Sequence, residues 1–344
     1  MYVRLAADAD LLLWQRFVDA HPEAGCMHHA GWYRVLRDAF RVTPYFLMAV
    51  NQHGAVDGVL PMYLSRSPLT GQHISSLEDG VLATHSDVVH ALLEEALLTR
   101  DKTRSRYLQI RGGPIDRPAD TVQPNVHTFI NTSEATDKLW SAIKKKTRWA
   151  IRQAERQDLT IEHDADLREL AGFYGLYAAH MRDLGTPVFG HKVFEAIVAH
   201  LGADRLRLYL VRHGPNLIGG MLCIINGRRW TDYYAVVRPA VETEFANYLL
   251  YWHVIRDASL NSIERLDLGR SARESNVHLF KRKWRGFDVE VPYYFYVRSG
   301  VHVENFGFGR EKESKGMLQQ CWSRLPLAIS NRLGPLIRRQ LPFI

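Results

Sequence analysis

The 344-residue sequence predicts an α/β fold of the α+β type, with two domains in tandem. Each domain is expected to be a mixed, mostly antiparallel sheet flanked by helices. Three observations support this prediction. The chain is long enough for two domains. Its composition, 46% hydrophobic and 24% charged residues, allows a sizeable core. The order helices, antiparallel hairpin, helix, strand occurs twice along the chain.

The first half of the chain contains the first copy of this order. Apolar residues at helical spacing predict its helices, and short apolar runs next to turn residues predict its strands. The helices are expected at 8–20, 29–40 and 87–100. The strands are expected at 45–50, 56–64, 106–111 and 126–131. We therefore expect a first domain over 1–133.

The second copy of the same order begins near Glu134. Its helices are expected at 134–157, 167–183, 191–200, 243–259 and, as a short element, 277–284. Its strands are expected at 159–163, 205–212, 217–226, 230–236, 265–268 and 289–297. The patterns are again helical periodicity and strands bounded by turn residues. We therefore expect a second domain over 134–299.

Residues 300–344 differ from both domains because cations are interspersed with leucine and isoleucine. The cations are Arg310, Lys312, Lys315, Arg324, Arg332, Arg338 and Arg339. This pattern predicts a basic amphipathic helical tail, which is also a candidate for peripheral contact with a membrane surface.

The overall composition indicates a cytoplasmic protein with anionic partners. The net charge is +7 and the pI is near 9.3, which favours phosphates, nucleic acid or an acidic membrane face. The three cysteines are far apart in the sequence, a pattern typical of free thiols in a reducing compartment. No stretch approaches the roughly 18 uncharged apolar residues of a membrane helix, and the first residues lack a secretory signal pattern. We expect a cytoplasmic location, with membrane contact only at the inner face through the tail.

Several common catalytic motifs are missing from the sequence. It contains no nucleophile elbow, no P-loop, no dinucleotide-binding glycine motif and no zinc-protease motif. One group of residues could be considered as metal ligands, but its spacing matches no usual zinc site. It consists of His21, Cys26, His28 and His29. We therefore expect chemistry without a metal, a covalent serine or a bound dinucleotide.

A row of cations is the most prominent feature of the predicted helix 134–157. Residues four apart share one helix face, and the row consists of Lys144, Arg148, Arg152 and Arg156. The row suits a solvated face, a diphosphate site or an RNA backbone equally well. We take Arg148 and Arg152 as candidate substrate-binding residues.

Five stretches of the second half resemble the FemAB family, whose members are tandem GNAT-fold enzymes. They are 148–155 (RWAIRQAE), 182–187 (RDLGTP), 245–252 (FANYLLYW), 265–271 (RLDLGRS) and 279–287 (LFKRKWRGF). The sequence is most similar to the FemAB-related subgroup found with exopolysaccharide and PEP-CTERM/exosortase systems. The resemblance implies two GNAT-like domains, with the second one catalytic. It also implies an N-acyltransferase that moves an acyl or aminoacyl group to an amine on a cell-envelope or exopolysaccharide precursor.

The resemblance also implies a role for Lys281, and the local sequence suggests roles for further residues. Lys281 is expected at the acyl-transfer centre, where its charge stabilises developing negative charge. Asp267 either orients the nucleophilic amine or pairs with Arg270. Strand alternation is expected to place Asp232 and Tyr234 on one face and Tyr233 on the other. We take Asp232 and Tyr234 as candidates for the site, with core packing as the alternative role for at least one tyrosine. The remaining candidates for substrate binding are Arg182, Gly185, Thr186, Asn247, Arg270 and Ser271. Residues 185–187 either cover the acceptor pocket or simply stop a helix.

The acyl donor is left open between aminoacyl-tRNA and acyl-CoA. GNAT enzymes hold coenzyme A at an R/Q-x-x-G-x-G/A loop before a helix. The equivalent residues here, 237–247, contain no glycine and include Glu242 and Glu244. This makes acyl-CoA the weaker candidate, and we expect no bound cofactor. The expected partners are an anionic small-molecule or glycan-precursor acceptor and, with an aminoacyl donor, tRNA.

Two non-catalytic functions compete with acyl transfer. One is a binding module that holds RNA or an anionic glycan through the basic helix, which predicts salt-sensitive binding without a product. The other is a membrane-surface adaptor that acts through the tail.

Overall fold

The computed structural model describes residues 1–68, 71–122, 125–238, 243–302 and 316–338. Its strands are β1 (Tyr2–Leu5), β2 (Thr43–Val50), β3 (Val56–Ser67), β4 (Gly71–Ser76), β5 (Leu82–Ala83), β6 (Tyr107–Arg111), β7 (Asp120–Val122), β8 (Val126–Asn131), β9 (Leu159–Asp164), β10 (Leu206–His213), β11 (Asn216–Asn226), β12 (Arg229–Val237), β13 (Arg265–Ser271), β14 (Phe287–Glu290) and β15 (Tyr293–Val297).

The α-helices are α1 (Leu11–Ala20), α2 (Trp32–Val35), α3 (Ser86–Lys102), α4 (Thr136–Ala142), α5 (Lys145–Ala154), α6 (Leu170–Asp183), α7 (His191–Leu201), α8 (Ala246–Leu260), α9 (Asn276–Lys281), α10 (Met317–Ser323) and α11 (Leu327–Arg338). A turn of π-helix, Leu36–Phe40, continues α2. Short 3-10 turns precede α1 at Asp8–Asp10 and follow α9 at Arg282–Trp284.

Two mixed sheets flanked by helices form the molecule, which confirms the predicted fold class. The first sheet has the order β1-β2-β3-β4-β6-β15-β7, with β5 paired to β3. The second has the order β14-β8-β13-β12-β11-β10-β9. In each sheet, one neighbouring pair described by the structure is parallel, β4 with β6 and β12 with β13, and the others are antiparallel.

The two sheets exchange strands across the boundary that we predicted at residue 133. Strand β8 lies in the second sheet, between β13 and β14, although it precedes that boundary. Strand β15 lies in the first sheet, beside β6. The second sheet is therefore built from one stretch, 126–290, whereas the first combines β1–β7 with the later β15. The predicted segments 1–133 and 134–299 are linked by shared hydrogen bonds.

The prediction of one strand over 289–297 is wrong. The segment forms the end of β14, which pairs with β8, and then β15, which pairs with β6 in the other sheet. The break falls at Pro292, which has no N–H to donate to a ladder and restricts the residue before it. The chain changes sheets at this position.

Other differences are local. The predicted helix 134–157 is divided into α4 and α5, because Ile143 and Lys144 adopt extended backbone angles. Strand β13 continues to Ser271, beyond the predicted end at 268, after an irregularity between Asp267 and Arg270. Four strands were not predicted from the sequence: β1, β4, β5 and β7.

An apolar cluster joins the helices of the two halves. Trp14 and Trp32 from the first half are buried in the same cluster as Phe173 and Phe194 from the second, and α2 packs against α7. Each fully buried aromatic side chain contributes roughly 1.5–3 kcal/mol relative to an exposed one. The relative position of the two sheets is therefore set by a shared core as well as by the exchanged strands.

The two helices of the predicted tail pack against α6. Gly185 ends α6 in the left-handed region, with φ near +80°. Its N–H donates to Arg182 O at 2.8 Å, and Thr186 N–H donates to Met181 O at 2.9 Å. This pair of bonds is a Schellman helix end, so residues 185–186 act as a helix stop. The tail also exposes apolar side chains, among them Leu318 at 86% exposure.

Of the helices that the structure describes, none is both long and apolar enough to span a bilayer. Peripheral contact of the tail with a membrane, and a cytoplasmic location, both remain predictions. The part of the tail at 303–315 and 339–344, with Arg310, Lys312, Lys315 and Arg339, lies outside the described residues.

Replacing Gly185 by Ala is expected to destabilise the protein by about 1–3 kcal/mol, the strain of a side chain held at positive φ. A Cβ there would also lie only 2.5 Å from Gln319 O of α10. The matched control is Gly175→Ala within α6, where a Cβ meets nothing within 4 Å. That change should stabilise the helix by about 0.5–1 kcal/mol. Denaturant unfolding compares the two variants, and equal stabilities would contradict the assigned role of Gly185.

Candidate active site

A cavity of about 480 Å³ lies between the two sheets. Its polar lining comes from both halves of the chain and from the tail. It includes Tyr63, Glu78, Asp79, Arg111, His127, Tyr177, His180, Thr231, Asp232, Tyr233, Tyr234, Tyr251, Asp267, Arg270, Lys281 and Arg338. Its apolar lining includes Trp32, Phe40, Met181, Leu184 and Phe189. Five of the predicted site residues meet here: Lys281, Asp267, Asp232, Tyr234 and Arg270.

The cavity lies where the parallel strands β12 and β13 stop pairing. Their last paired residues are Thr231 and Asp267. Beyond this point β12 carries a β-bulge, because Cys223 of β11 opposes Asp232 while Leu222 opposes Tyr234. A bulge adds one residue and breaks strand alternation. For this reason Asp232, Tyr233 and Tyr234 all line the cavity, whereas simple alternation predicted only Asp232 and Tyr234.

Gly269 allows Lys281 to approach the diverging strands. It adopts φ of +72°, and a Cβ there would lie 3.3 Å from Asp232 O. The Lys281 ammonium donates to Gly269 O and to Arg270 O, both at 2.8 Å. The side chain is only 5% exposed. Because an ammonium has three donors, these two bonds leave one N–H for a group in the cavity.

The pKa values of Lys281 and Asp232 both shift towards neutral pH. Burial lowers the pKa of Lys281, against the opposing effect of Asp232. Burial also raises the pKa of Asp232 to about 6, although Lys281 and a hydrogen bond oppose the rise. The hydrogen bond comes from Tyr251 Oη, 2.8 Å from Asp232 Oδ2. A carboxylate with a pKa near the working pH is suited to accept and return a proton.

The environment of Asp267 lowers its pKa, in contrast to that of Asp232. Burial would raise its pKa, but His127 and Arg229 hold the pKa of this carboxyl well below its usual range. Arg229 Nη2 lies 2.7 Å from Oδ2, and His127 Nδ1 lies 3.3 Å from both carboxylate oxygens. Gly269 N–H donates to Oδ1 at 2.8 Å. Asp267 therefore remains ionised and holds neighbouring groups, and Arg270 is not among these contacts. Orientation of the nucleophilic amine by Asp267 stays a prediction.

His127 connects Asp267 to Glu78 of the other sheet. Its Nε2 lies 3.6 Å from Glu78 Oε2. Burial lowers the pKa of His127, but the carboxylates of Asp267 and Glu78 outweigh burial and raise it to about 10. The imidazole is therefore a cation at neutral pH, between two carboxylates.

Glu78 is the counter-ion of Arg270 as well. Arg270 Nη1 lies 2.7 Å from Glu78 Oε1, and Arg111 Nη1 lies 3.3 Å from the same oxygen. Burial would raise the pKa of Glu78, but Arg270 and His127 hold it well below the usual range. Glu78 follows β4 in a turn that ends at Gly80, with φ of +65°. The sequence signal for this residue was only the acidic pair Glu78–Asp79 before a glycine.

The other predicted site residues lie outside the cavity lining. Arg148 Nη1 donates to Ser141 O at 3.1 Å and so completes the end of α4, and the Arg152 guanidinium lies 5.7 Å from the Trp140 ring. Arg182 pairs with Asp183. The structure places Asn247 on the exposed first turn of α8 and Ser271 in a buried position at the end of β13.

The residues considered as metal ligands make other contacts. His28 Nδ1 accepts from Gly25 N–H and His29 Nδ1 accepts from Gly31 N–H, both at 3.0 Å. Burial raises the pKa of the Cys26 thiol. In the ranges covered by the structure, no group of three His, Cys, Asp or Glu side chains is placed to hold a metal.

Comparison with known proteins agrees with this geometry. Residues 141–282 match the family model described as an acetyltransferase (GNAT) domain. This segment is similar to GNAT domains. It contains β12, β13 and Lys281. No curated protein matches the sequence.

Solved structures share the fold of nearly the whole chain. The FemX crystal structure matches with a TM-score of 0.68 at 15% identity, covering 87% of this chain and 98% of FemX. The C-terminal domain of a putative lysylphosphatidylglycerol synthetase from Agrobacterium fabrum matches with a TM-score of 0.59 at 10% identity, covering 83% and 91%. A tandem GNAT protein from the clavulanic acid biosynthesis pathway matches at 0.51 and 12% identity, covering 86% and 97%.

These matches confirm the predicted GNAT fold and its likeness to FemAB-type proteins. A fold of this kind supports an N-acyltransferase function. The PEP-CTERM-associated subgroup remains a prediction.

Proposed function

We propose that the protein transfers an acyl or aminoacyl group from an activated donor to an amine on an anionic cell-envelope or exopolysaccharide precursor. One observation carries the proposal. Asp232, with a pKa of about 6, and the Lys281 ammonium line the same cavity, at the point where β12 and β13 diverge. The fold shared with FemX and the resemblance to FemAB enzymes support the choice of acyl transfer.

In the proposed reaction the amine nitrogen attacks the acyl carbon, and a C–N bond forms. The amine loses one proton to Asp232, whose carboxylate acts as the general base. The remaining N–H of Lys281 stabilises the negative charge that develops on the acyl oxygen. The ester or thioester bond then breaks, and the leaving oxygen or sulfur takes the electron pair together with the proton held by Asp232.

The donor remains either aminoacyl-tRNA or acyl-CoA. In the loop 237–247 that bears on this choice, residues 239–242, including Glu242, lie outside the described residues. Glu244 is exposed. The cations of α5 support a polyanionic donor, because Lys145 and Lys146 are exposed beside the exposed ring of Trp149. Both donors therefore enter the test.

Replacing Lys281 by Met is expected to lower the turnover number about 100- to 1,000-fold with little change in KM, because it removes a donor that acts in the transition state. Steady-state kinetics with aminoacyl-tRNA and with acetyl-CoA measures the effect. The matched control is Lys138→Met, which removes an exposed lysine on α4 and should leave turnover unchanged.

Two results would count against this proposal. An unchanged rate for Lys281→Met would remove Lys281 from the mechanism. Absence of product with every donor, combined with salt-sensitive binding of RNA, would favour the alternative of a non-catalytic anion-binding module.

The pH dependence should identify Asp232 as the base. Because the carboxylate must be ionised, kcat/KM should show an acidic limb with a pKa of about 6, separate from the rise at higher pH that deprotonation of the acceptor amine produces. Tyr251→Phe removes a hydrogen bond to the ionised form, so the pKa of Asp232 should rise and the acidic limb should move up by about one pH unit. Tyr248→Phe is the control on the same helix, because Tyr248 bonds Lys283 instead. Equal profiles for all three proteins would exclude Asp232 as the base.

A further inference from the structure

The charged and the apolar side chains of the cavity come from different kinds of element. Most of the charged ones lie on strands or in the turn after β4: Glu78, Asp79, Arg111, His127, Asp232, Asp267 and Arg270. A group of apolar ones lies on helices or in the segment that follows α6: Trp32, Leu36, Phe40, Met181, Leu184 and Phe189. These six residues form what is called here the helical wall.

The π turn after α2 explains why three residues of the helical wall reach the cavity from one helix. Trp32, Leu36 and Phe40 follow one another at intervals of four. In a regular α-helix, with about 3.6 residues per turn, each such interval drifts around the helix axis. The wider turn of π-helix at Leu36–Phe40 offsets this drift, and such turns are frequent at functional sites. All three side chains therefore line the cavity.

Phe189, on the other part of the helical wall, is fixed by its neighbours. Its ring centre lies 4.8 Å from that of Phe40, and its carbonyl oxygen accepts from Tyr174 Oη at 3.0 Å. The Arg338 guanidinium carbon lies 4.7 Å from the same ring centre. His180 also lines the cavity, and burial lowers its pKa, so this imidazole is neutral at pH 7. The helical wall is therefore formed before any ligand binds.

The helical wall begins beside the proposed general base. Tyr233 and Tyr234 follow Asp232 directly on β12, and both line the cavity. The ring centre of Tyr233 lies 5.7 Å from that of Trp32, and the ring centre of Tyr234 lies 4.5 Å from that of Tyr177 on α6. An acyl carbon placed next to the base therefore has an aromatic and apolar surface on one side.

The size and chemistry of this surface favour a large apolar ligand group. The cavity volume of about 480 Å³ is in the range of small-molecule sites, and a single methyl group covers little of such a wall. Each further methylene that is buried tightens binding roughly fourfold. The acceptor of the proposed reaction is anionic and polar, so the charged strand residues suit it better than the helical wall does.

We propose that the helical wall binds the hydrocarbon part of the transferred acyl group, so that the preferred donors carry a large apolar acyl or aminoacyl group instead of acetyl, glycyl or alanyl. This inference rests on the proposed function and deepens it, because it specifies the acyl group that the proposed function leaves open.

A homologous series of uncharged amides tests the helical wall without any acyl donor. N-methylacetamide, N-methylbutanamide and N-methylhexanamide contain the amide C–N bond that the proposed reaction forms, and they differ only in the length of the acyl chain. In calorimetric titrations the dissociation constant should fall roughly fourfold for each added methylene. An affinity that does not depend on chain length would overturn the proposal.

Two substitutions of Met181, a half-buried residue of the helical wall, make the test specific. Met181→Trp fills part of the cavity and should weaken binding of N-methylhexanamide about 10-fold, while binding of N-methylacetamide stays unchanged. Met181→Ala enlarges the cavity and should move the tightest binding to a longer chain, such as that of N-methyloctanamide.

The matched controls are Met317→Trp and Met317→Ala on α10. Met317 is 80% exposed and lies outside the cavity lining, so both variants should bind like the wild type. Thermal unfolding verifies that each variant is folded. An unchanged dependence on chain length in the folded Met181 variants would overturn the proposal.

Transfer assays separate this inference from the proposed function. The wild-type kcat/KM should be higher for hexanoyl-CoA than for acetyl-CoA if the donor is a thioester, and higher for leucyl-tRNA than for alanyl-tRNA if it is an aminoacyl ester. Faster transfer of the small groups would overturn this inference and leave the proposed function intact. Amide binding that depends on chain length, in a protein that transfers no acyl group, would support the helical wall as an acyl-chain site while contradicting the proposed reaction.

Discussion

The arrangement of the cavity depends on the ion pairs of His127 with Asp267 and Glu78. Asp267 lies on β13 of the second sheet, whereas Glu78 follows β4 of the first. Buried charges are stable only when they are paired, so the cation between these two carboxylates links the sheets at the position of the site. Arg229 pairs with Asp267 and Arg270 pairs with Glu78, so each carboxylate has a second cation beside it. Removing one member would leave an uncompensated buried charge, at a cost of about 3–5 kcal/mol.

This network also positions the catalytic candidate. Asp267 accepts from Gly269 N–H, while Lys281 donates to Gly269 O, so both polar groups of one glycine are held. The Gly269 backbone to which Lys281 donates is therefore held in place by the ionised Asp267. Two carboxyl groups in one cavity thus have different roles, because Asp267 is surrounded by cations and Asp232 is mainly desolvated. Pairs whose environments push their pKa values apart are typical of acid–base sites.

Much of the fold was predictable, because strands and helices follow local apolar spacing. The site was predictable only in part. Residues near one another in the 265–284 region, such as Asp267 and Lys281, were recognised, whereas Glu78 and His127 were not. Their partners are distant in sequence, and the pairing that places β8 in the second sheet has no local signal. The cationic row with Arg148 and Arg152 has the same spacing whether it binds an anion or, as Arg148 does, caps α4. The sequence alone therefore does not distinguish these two roles.

The central claim, that His127 is a buried cation linking the sheets, is tested most directly by ¹⁵N NMR of its ring. With a pKa of about 10, both ring nitrogens should carry protons at pH 8, where an ordinary histidine is neutral. In Asp267→Asn the pKa should fall, because one of the two carboxylates is lost. A neutral His127 ring in the wild-type protein at pH 7 would contradict this account.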